Sequence, residues 1–206
     1  MNIEEFVVSH LPEPPCRVLE VGCGAGELAH AIAQRGYSIT AIDPEVSAGT
    51  IFRRTSLEDF DEPGPFDVVL ASRSLHHVHD LDAGLRKIHT LLRDSGLLIL
   101  NEFAWEQMDD KSVRWYLSHV EPPGPEDDSL LPGKFPDAWF AEHQGLHESA
   151  TIRGALVDLF RENAFEWVPF IAEYYLKRPD LIDQERDLIR SGEVAPLGFR
   201  YVGIRG

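Results

Sequence analysis

The stretch Val18-Leu-Glu-Val-Gly-Cys-Gly-Ala-Gly26 constrains this chain more than any other. Residues 16–21 form a short run rich in β-branched and apolar side chains, closed by Pro15 and Gly22. Such a run reads as a buried strand. Residues 27–35 follow with Leu28 and Ile32 four apart and Gly36 as a stop, which reads as a helix. Three glycines at alternate positions therefore sit in a strand-to-helix turn. Glycines there let the backbone approach a ligand closely, and the helix start offers free N–H groups.

The rest of the first half repeats the alternation. Residues 37–42, 50–54, 66–71 and 97–103 read as further strands, and residues 81–93 as a helix with a stripe at Leu81, Leu85, Ile88 and Leu92. Alternating strands and helices predict an α/β, doubly wound, mostly parallel sheet. Ligands of such sheets lie outside the carboxyl ends of the strands. Farther on, residues 151–163 read as a helix with Ile152, Leu156 and Phe160 on one face. Residues 165–175 read as a strand running into irregular chain, 180–190 as a helix closed at Gly192, and 199–204 as a last strand. No linker divides the chain, so a single domain over 1–206 is expected. Residues 104–150, with aromatics and a Pro- and acid-rich loop at 121–128, read as an insertion covering the ligand crevice.

Charge narrows the partners. The 206 residues carry 19 Lys and Arg against 35 Asp and Glu, a net −16. Clustered cations bind phosphate backbones, so no nucleic-acid partner is expected. No apolar run approaches the ~18–20 residues a membrane span needs. The acidic N-terminus lacks the basic start of a signal peptide, and a cytoplasmic location is expected. Cys16 and Cys23 are two thiols without a metal-ligand pattern, and no metal site is expected. The residues leave the oligomeric state open.

The glycine loop itself departs from the dinucleotide pattern Gly-x-Gly-x-x-Gly, because the sixth position is Glu27. A pyrophosphate would meet that carboxylate at the helix start. Glu20 is a carboxylate inside an apolar strand, costly to bury unless it faces a loop amide or a cationic amine. Asp43 ends the second strand, where a carboxylate can accept both ribose hydroxyls or cap a turn before Pro44.

These segments, with Phe66-Asp-Val-Val-Leu-Ala-Ser-Arg-Ser-Leu-His-His-Val-His-Asp80 and Leu91-Leu-Arg-Asp-Ser-Gly-Leu-Leu-Ile-Leu100, resemble class I S-adenosylmethionine-dependent methyltransferases of the small-molecule branch. The resemblance is detailed over about residues 15–103 and continues at Gly198-Phe-Arg-Tyr-Val-Gly203. It implies a Rossmann-like, seven-stranded sheet with an antiparallel last strand and a helical lid. It implies S-adenosyl-L-methionine as cofactor, held by Glu20, Gly22, Cys23, Gly24, Gly26, Asp43, Pro44, Leu57, Glu58 and Ala71. Between Asp43 and the third strand the family usually has a helix, and here only Pro44-Glu-Val-Ser-Ala-Gly49 intervenes, so the adenine wall must differ. The Asn- or Asp-Pro-Pro-aromatic motif of the branch that methylates exocyclic amines of nucleobases and glutamine amides is absent after the fourth strand, where Ala71-Ser-Arg-Ser stands.

The expected reaction is methyl transfer to a small-molecule acceptor by in-line displacement. A base is needed only where the acceptor must lose a proton. His77, His143 and His147 are the candidates, the last two sharing a face if their segment is helical. Arg73, His76 and Trp105 are candidate substrate contacts. Two other readings stand beside this one: a dinucleotide-dependent oxidoreductase on a similar fold, and a cofactor-holding module without turnover. The residues do not choose among oxygen, nitrogen, carbon and sulfur acceptors.

Overall fold

The computed structural model describes residues 1–120 and 134–206. The Pro-rich loop expected at 121–128 lies outside the described residues. Seven strands form one sheet: β1 (Arg17–Val21), β2 (Ser38–Ile42), β3 (Phe52–Arg53), β4 (Phe66–Ser72), β5 (Leu92–Phe103), β6 (Phe160–Val168) and β7 (Gly198–Arg205). Their order is β3-β2-β1-β4-β5-β7-β6. The pairs β1–β2, β1–β4, β2–β3 and β4–β5 are parallel, and β7 runs antiparallel. This is the mostly parallel, doubly wound sheet expected from the alternation. The order reverses between β1 and β4, which makes that gap the switch point of the sheet.

The register makes the strand ends level. Val21 pairs with Ile42 on one side and Ala71 on the other, and Ala71 pairs with Leu100. Gly22, Asp43 and Glu102 therefore all lie just past this line, at the carboxyl edge.

The chain divides into two compact units. The first holds Met1–Glu102, Ala150–Phe165 and Arg200–Gly206. Its core includes Val18, Ile32, Ile39, Ala41, Val68, Leu70, Ile99 and Val202, all buried. Helix α1 (Ile3–His10) opens it, with Phe6 and Val7 in that core. Asn2 and Glu5 form a reciprocal capping box at its start. Helix α2 (Glu27–Gln34) buries Ala29 and Ile32. Helix α3 (Leu81–Leu91) is capped by the Asp80 side chain on the Ala83 amide and buries Leu81, Leu85, Ile88 and Leu91.

The second unit holds Phe103–Ser149 and Glu166–Phe199. It contains α4 (Asp110–Leu117), α5 (Phe135–Glu142) and α7 (Ile182–Ser191), while α6 (Ser149–Val157) belongs almost wholly to the first. Its core joins Phe103, Trp105, Met108, Val113, Phe135, Trp139, Phe170 and Ile171. No described helix is long and apolar enough to cross a membrane.

Three boundaries differ from the sequence expectation. The stripe ending at Leu92 predicts a helix to 93, but α3 stops at Leu91 and Leu92 already pairs with Phe66 in β5. Ser95 takes a positive φ of 60°, and the β4–β5 register shifts between Phe66 and Val68. The expected helix 151–163 ends at Val157, because Phe160 is buried as the first residue of β6. The expected strand 165–175 is only the end of β6. A π-helical turn at Ile171–Tyr175 follows, its first amides and that of Phe170 taken by buried Glu185.

Candidate functional site

The first unit places most of the predicted cofactor residues at the carboxyl edge. Gly22, Gly24 and Gly26 have φ values of 71°, 52° and 81°, a region side chains with a Cβ rarely enter. The Gly22 and Cys23 amides both donate to the Ile42 carbonyl, at 2.9 and 3.1 Å, which folds the loop back over the end of β2. A Cβ on Gly22 would collide with Ser74, and one on Gly26 with the Phe52 ring. A Cβ on Gly24 would meet no atom within 4 Å. The loop is thus closed on two sides and open at Gly24.

Asp43 ties this loop to β2. One carboxylate oxygen accepts the Gly24 amide at 3.0 Å and the other the Glu45 amide at 2.8 Å. The second bond is the short turn that Asp favours before such a loop. Each oxygen retains a second lone pair for a hydroxyl donor. The two roles weighed for Asp43, turn cap and hydroxyl acceptor, are compatible.

Glu20 is 2% exposed and its Oε2 has no hydrogen-bond partner. Burial pushes its carboxyl up to about 8, so the group is neutral below that pH. Cys23 is pushed up to about 12 by burial first, then by the charges of Glu20 and Asp43. That thiol stays protonated and inert at neutral pH. The mutual influence of the three places both carboxyls around the loop. A buried acid with an unused oxygen is an acceptor awaiting a donor, and an ammonium or amine is a suitable one.

The chain between Asp43 and β3 holds no helix, as expected from its length. Pro44 is exposed there. Leu57 is buried and Ala71 fully buried in β4. Glu58 is exposed, and its carbonyl accepts the Lys87 ammonium at 2.7 Å.

The turn after β4 carries Arg73 at φ 54° and exposed, then a 3-10 turn at Leu75–His77. His77 is exposed, and its ring lies 4.2 Å from that of His76. His76 is 5% exposed and its Nδ1 lies 2.6 Å from Glu102 Oε2. A carboxylate only accepts, so Nδ1 carries the proton. Sequence reasoning missed Glu102, although Asn101-Glu102 is a polar pair inside the apolar run 97–103, the same signal that singled out Glu20.

Trp105 and His143 come together in the second unit. Trp105 is buried with its ring stacked on that of His143, centroids 6.0 Å apart at 13°. His143 ends α5 rather than sitting inside it. Its Nδ1 donates to the Trp139 carbonyl at 2.7 Å, and Nε2 lies 3.1 Å from the Tyr175 hydroxyl. In the neutral ring Nε2 then accepts from Tyr175. His147 is half-buried beyond the helix, so the two histidines do not share a helical face. Tyr175 was not foreseen, since an isolated Tyr in a Tyr-Tyr pair carries no spacing signal. No group of three or more metal-ligating side chains gathers among the described residues.

Comparison with known proteins bears on the fold and the family. Residues 3–169 match the family model described as a methyltransferase domain. The ubiquinone biosynthesis O-methyltransferase of Xanthomonas campestris pv. campestris (strain B100) is 37% identical over a match covering 47% of this chain and 47% of that protein. The chain thus spans about half the length of the curated relatives it matches. Among solved structures, an S-adenosylmethionine-dependent methyltransferase from Mesorhizobium loti superposes with a TM-score of 0.60 at 20% identity, covering 98% of this chain and 96% of that one. A Burkholderia thailandensis 1,6-didemethyltoxoflavin-N1-methyltransferase, solved with its substrate and S-adenosylhomocysteine, gives 0.59 at 19% identity over 98% and 76%. With its glycine loop at the switch point of a seven-stranded sheet and a family match over most of its length, the chain belongs to the methyltransferase domain family.

Proposed function

We propose that this chain transfers a methyl group from S-adenosylmethionine to a hydroxyl of a small organic molecule. The observation that carries the proposal is the buried Glu20 carboxyl, whose Oε2 is unpartnered just before the glycine loop. It fits the amino group of the cofactor, while Gly24 leaves open space and Asp43 keeps lone pairs for the ribose hydroxyls. The hydroxyl acceptor rests on the O-methyltransferases that share 37% identity with part of the chain.

S-adenosylmethionine held by Glu20, Asp43 and the glycine loop would supply an electrophilic methyl for the acceptor oxygen, with S-adenosylhomocysteine as the co-product. The protein's contribution is mainly alignment. The Gly22, Gly24 and Gly26 backbone with Cys23, Pro44, Leu57, Glu58 and Ala71 forms the cofactor contacts in this reading. A histidine takes the acceptor's hydroxyl proton. His77 is the first to test because it is exposed at the carboxyl edge, ahead of His143 and His147. Arg73 and His76, in the turn after β4, are assigned to the acceptor in this reading. Excess negative charge leaves nucleic acid outside the proposed acceptors.

Titration calorimetry with S-adenosylhomocysteine tests the cofactor half. Micromolar binding is expected for the wild type, and Asp43→Ala should weaken it at least tenfold. Absence of heat with S-adenosylhomocysteine, or fluorescence-detected binding of NADH instead, would overturn the reading. Labelled methyl transfer to a panel of small hydroxylated organic acceptors tests the other half, with at least a hundredfold loss of rate expected for the histidine that acts as base.

A further inference from the structure

We propose that Glu102 is a positioning residue for the cofactor loop, clamping the turn after β4 against Gly22. Glu102 is fully buried at the carboxyl edge, where β5 follows β4 in register. Its Oε1 accepts the amides of Ser74 and Leu75 at 2.9 and 2.7 Å. Its Oε2 accepts His76 Nδ1 at 2.6 Å. Three consecutive residues are thereby fixed by one side chain. Two of those donors belong to the start of the 3-10 turn, whose first amides have no partner within the turn.

The clamped turn touches the glycine loop directly. Ser74 Oγ donates to the Val21 carbonyl at 2.8 Å, one residue before the loop. Ser74 also occupies the space that a side chain on Gly22 would need. Gly22 stands at φ 71°, so the backbone there follows a path with no spare room on the Ser74 side. Glu102 bonds the turn, at Ser74, Leu75 and His76. It acts through Ser74, setting the wall against which Gly22 lies, and through His76, fixing which ring nitrogen carries the proton. Burying a carboxylate only to cap a short turn is costly, and its bonds to Ser74, Leu75 and His76 all bear on the segment that braces the loop.

The inference rests on the cofactor reading above, and the variants separate the two. Glu102→Ala removes both acceptors. Glu102→Gln keeps a carbonyl oxygen for the two amides but presents an NH2 to His76. S-adenosylhomocysteine calorimetry should show Glu102→Ala at least tenfold weaker than wild type and Glu102→Gln within threefold of it. Nitrogen-15 spectra should show the Gly22 and Gly24 amides displaced in the Ala variant and near their wild-type positions in the Gln variant. In Glu102→Gln the His76 proton should move from Nδ1 to Nε2. Wild-type affinity and unmoved glycine amides in a folded Glu102→Ala would overturn the proposal, as would a Gln variant as weak as the Ala variant. Where Glu102→Ala does not fold, Ser74→Gly decides: a threefold or greater weakening supports the clamp, and wild-type affinity overturns it. A wild-type protein that binds no S-adenosylhomocysteine defeats the cofactor reading instead, and the displacement of the Gly22 amide then judges the clamp alone.

Discussion

Glu20 shows how one side chain can trade stability for binding. Its carboxyl is raised by burial to about 8, against an ordinary value near 4.5. Between these two values the folded chain holds a proton that the unfolded chain has released. Stability therefore falls as pH rises from about 4.5 to about 8, by up to a tenfold change in the folding equilibrium per pH unit. Glu20→Gln mimics the protonated acid and should flatten that slope, so that its melting temperature exceeds the wild type's at pH 8 and matches it near pH 5. Thermal melts at pH 5, 6.5 and 8 check this, and parallel pH slopes for the two proteins would show Glu20 to be ionised when folded. The same substitution should weaken S-adenosylhomocysteine at least tenfold above pH 7, since an amide carries no charge for the ligand's ammonium. Greater stability with poorer binding would mark Glu20 as kept for the ligand.

The glycine loop is the element in which sequence and structure agree most closely, and the reasons are local. Three glycines between a β-branched run and an amphipathic run leave few alternatives to a strand-turn-helix unit, and all three take positive φ. Glu20 and Asp43 were also visible, as carboxylates where an apolar strand has no use for them. Elsewhere the signals conflicted. The helical stripe runs through Leu92 into β5, and an i+4 spacing carries Phe160 into β6, because a buried strand residue and a buried helix residue look alike when flanking residues are polar. Helix α1 went unread although Asn2 and Glu5 spell its capping box. Glu102 carries the same local mark as Glu20, a carboxylate inside an apolar run, but its role, like that of Tyr175, depends on partners far away in sequence, which no local pattern reveals. The loop's three glycines should nevertheless differ on substitution. Gly24→Ala meets open space and bears only the left-handed strain of about 1–2 kcal/mol, lowering the melting temperature by roughly 2–8 °C. Gly26→Ala adds a collision with Phe52 and should lower it further. Gly24→Ala should still cost at least tenfold in S-adenosylhomocysteine affinity, because the proposed cofactor site uses that open space. Calorimetry and melting on the two variants test this ordering, and unchanged affinity in Gly24→Ala would move the ligand off that glycine.

Charge acts on the molecule as a whole. The 35 acidic against 19 basic side chains leave 16 negative charges in excess, which repel one another across the surface. Exposed pairs such as Arg35–Glu4 at 2.5 Å and Arg93–Asp67 at 2.6 Å pull the other way. Such surface pairs contribute about 0–1 kcal/mol each and lose strength in salt. The excess cannot be paired within the chain, so its repulsion should dominate the response to ionic strength. Screening length falls from about 30 Å at 0.01 M to about 8 Å at 0.15 M. Raising sodium chloride over that range at pH 8 should therefore raise the melting temperature by several degrees, equally in wild type and Glu20→Gln, because the buried acid is shielded from salt. The same charge predicts the partner. A 12-base-pair duplex labelled for anisotropy should show no binding at 0.01 M salt, the condition that most favours phosphate contacts. Micromolar binding there would mean that a local pair of cations, such as Arg53-Arg54 or Arg86-Lys87, outweighs the net field, and the small-molecule acceptor would have to be reconsidered.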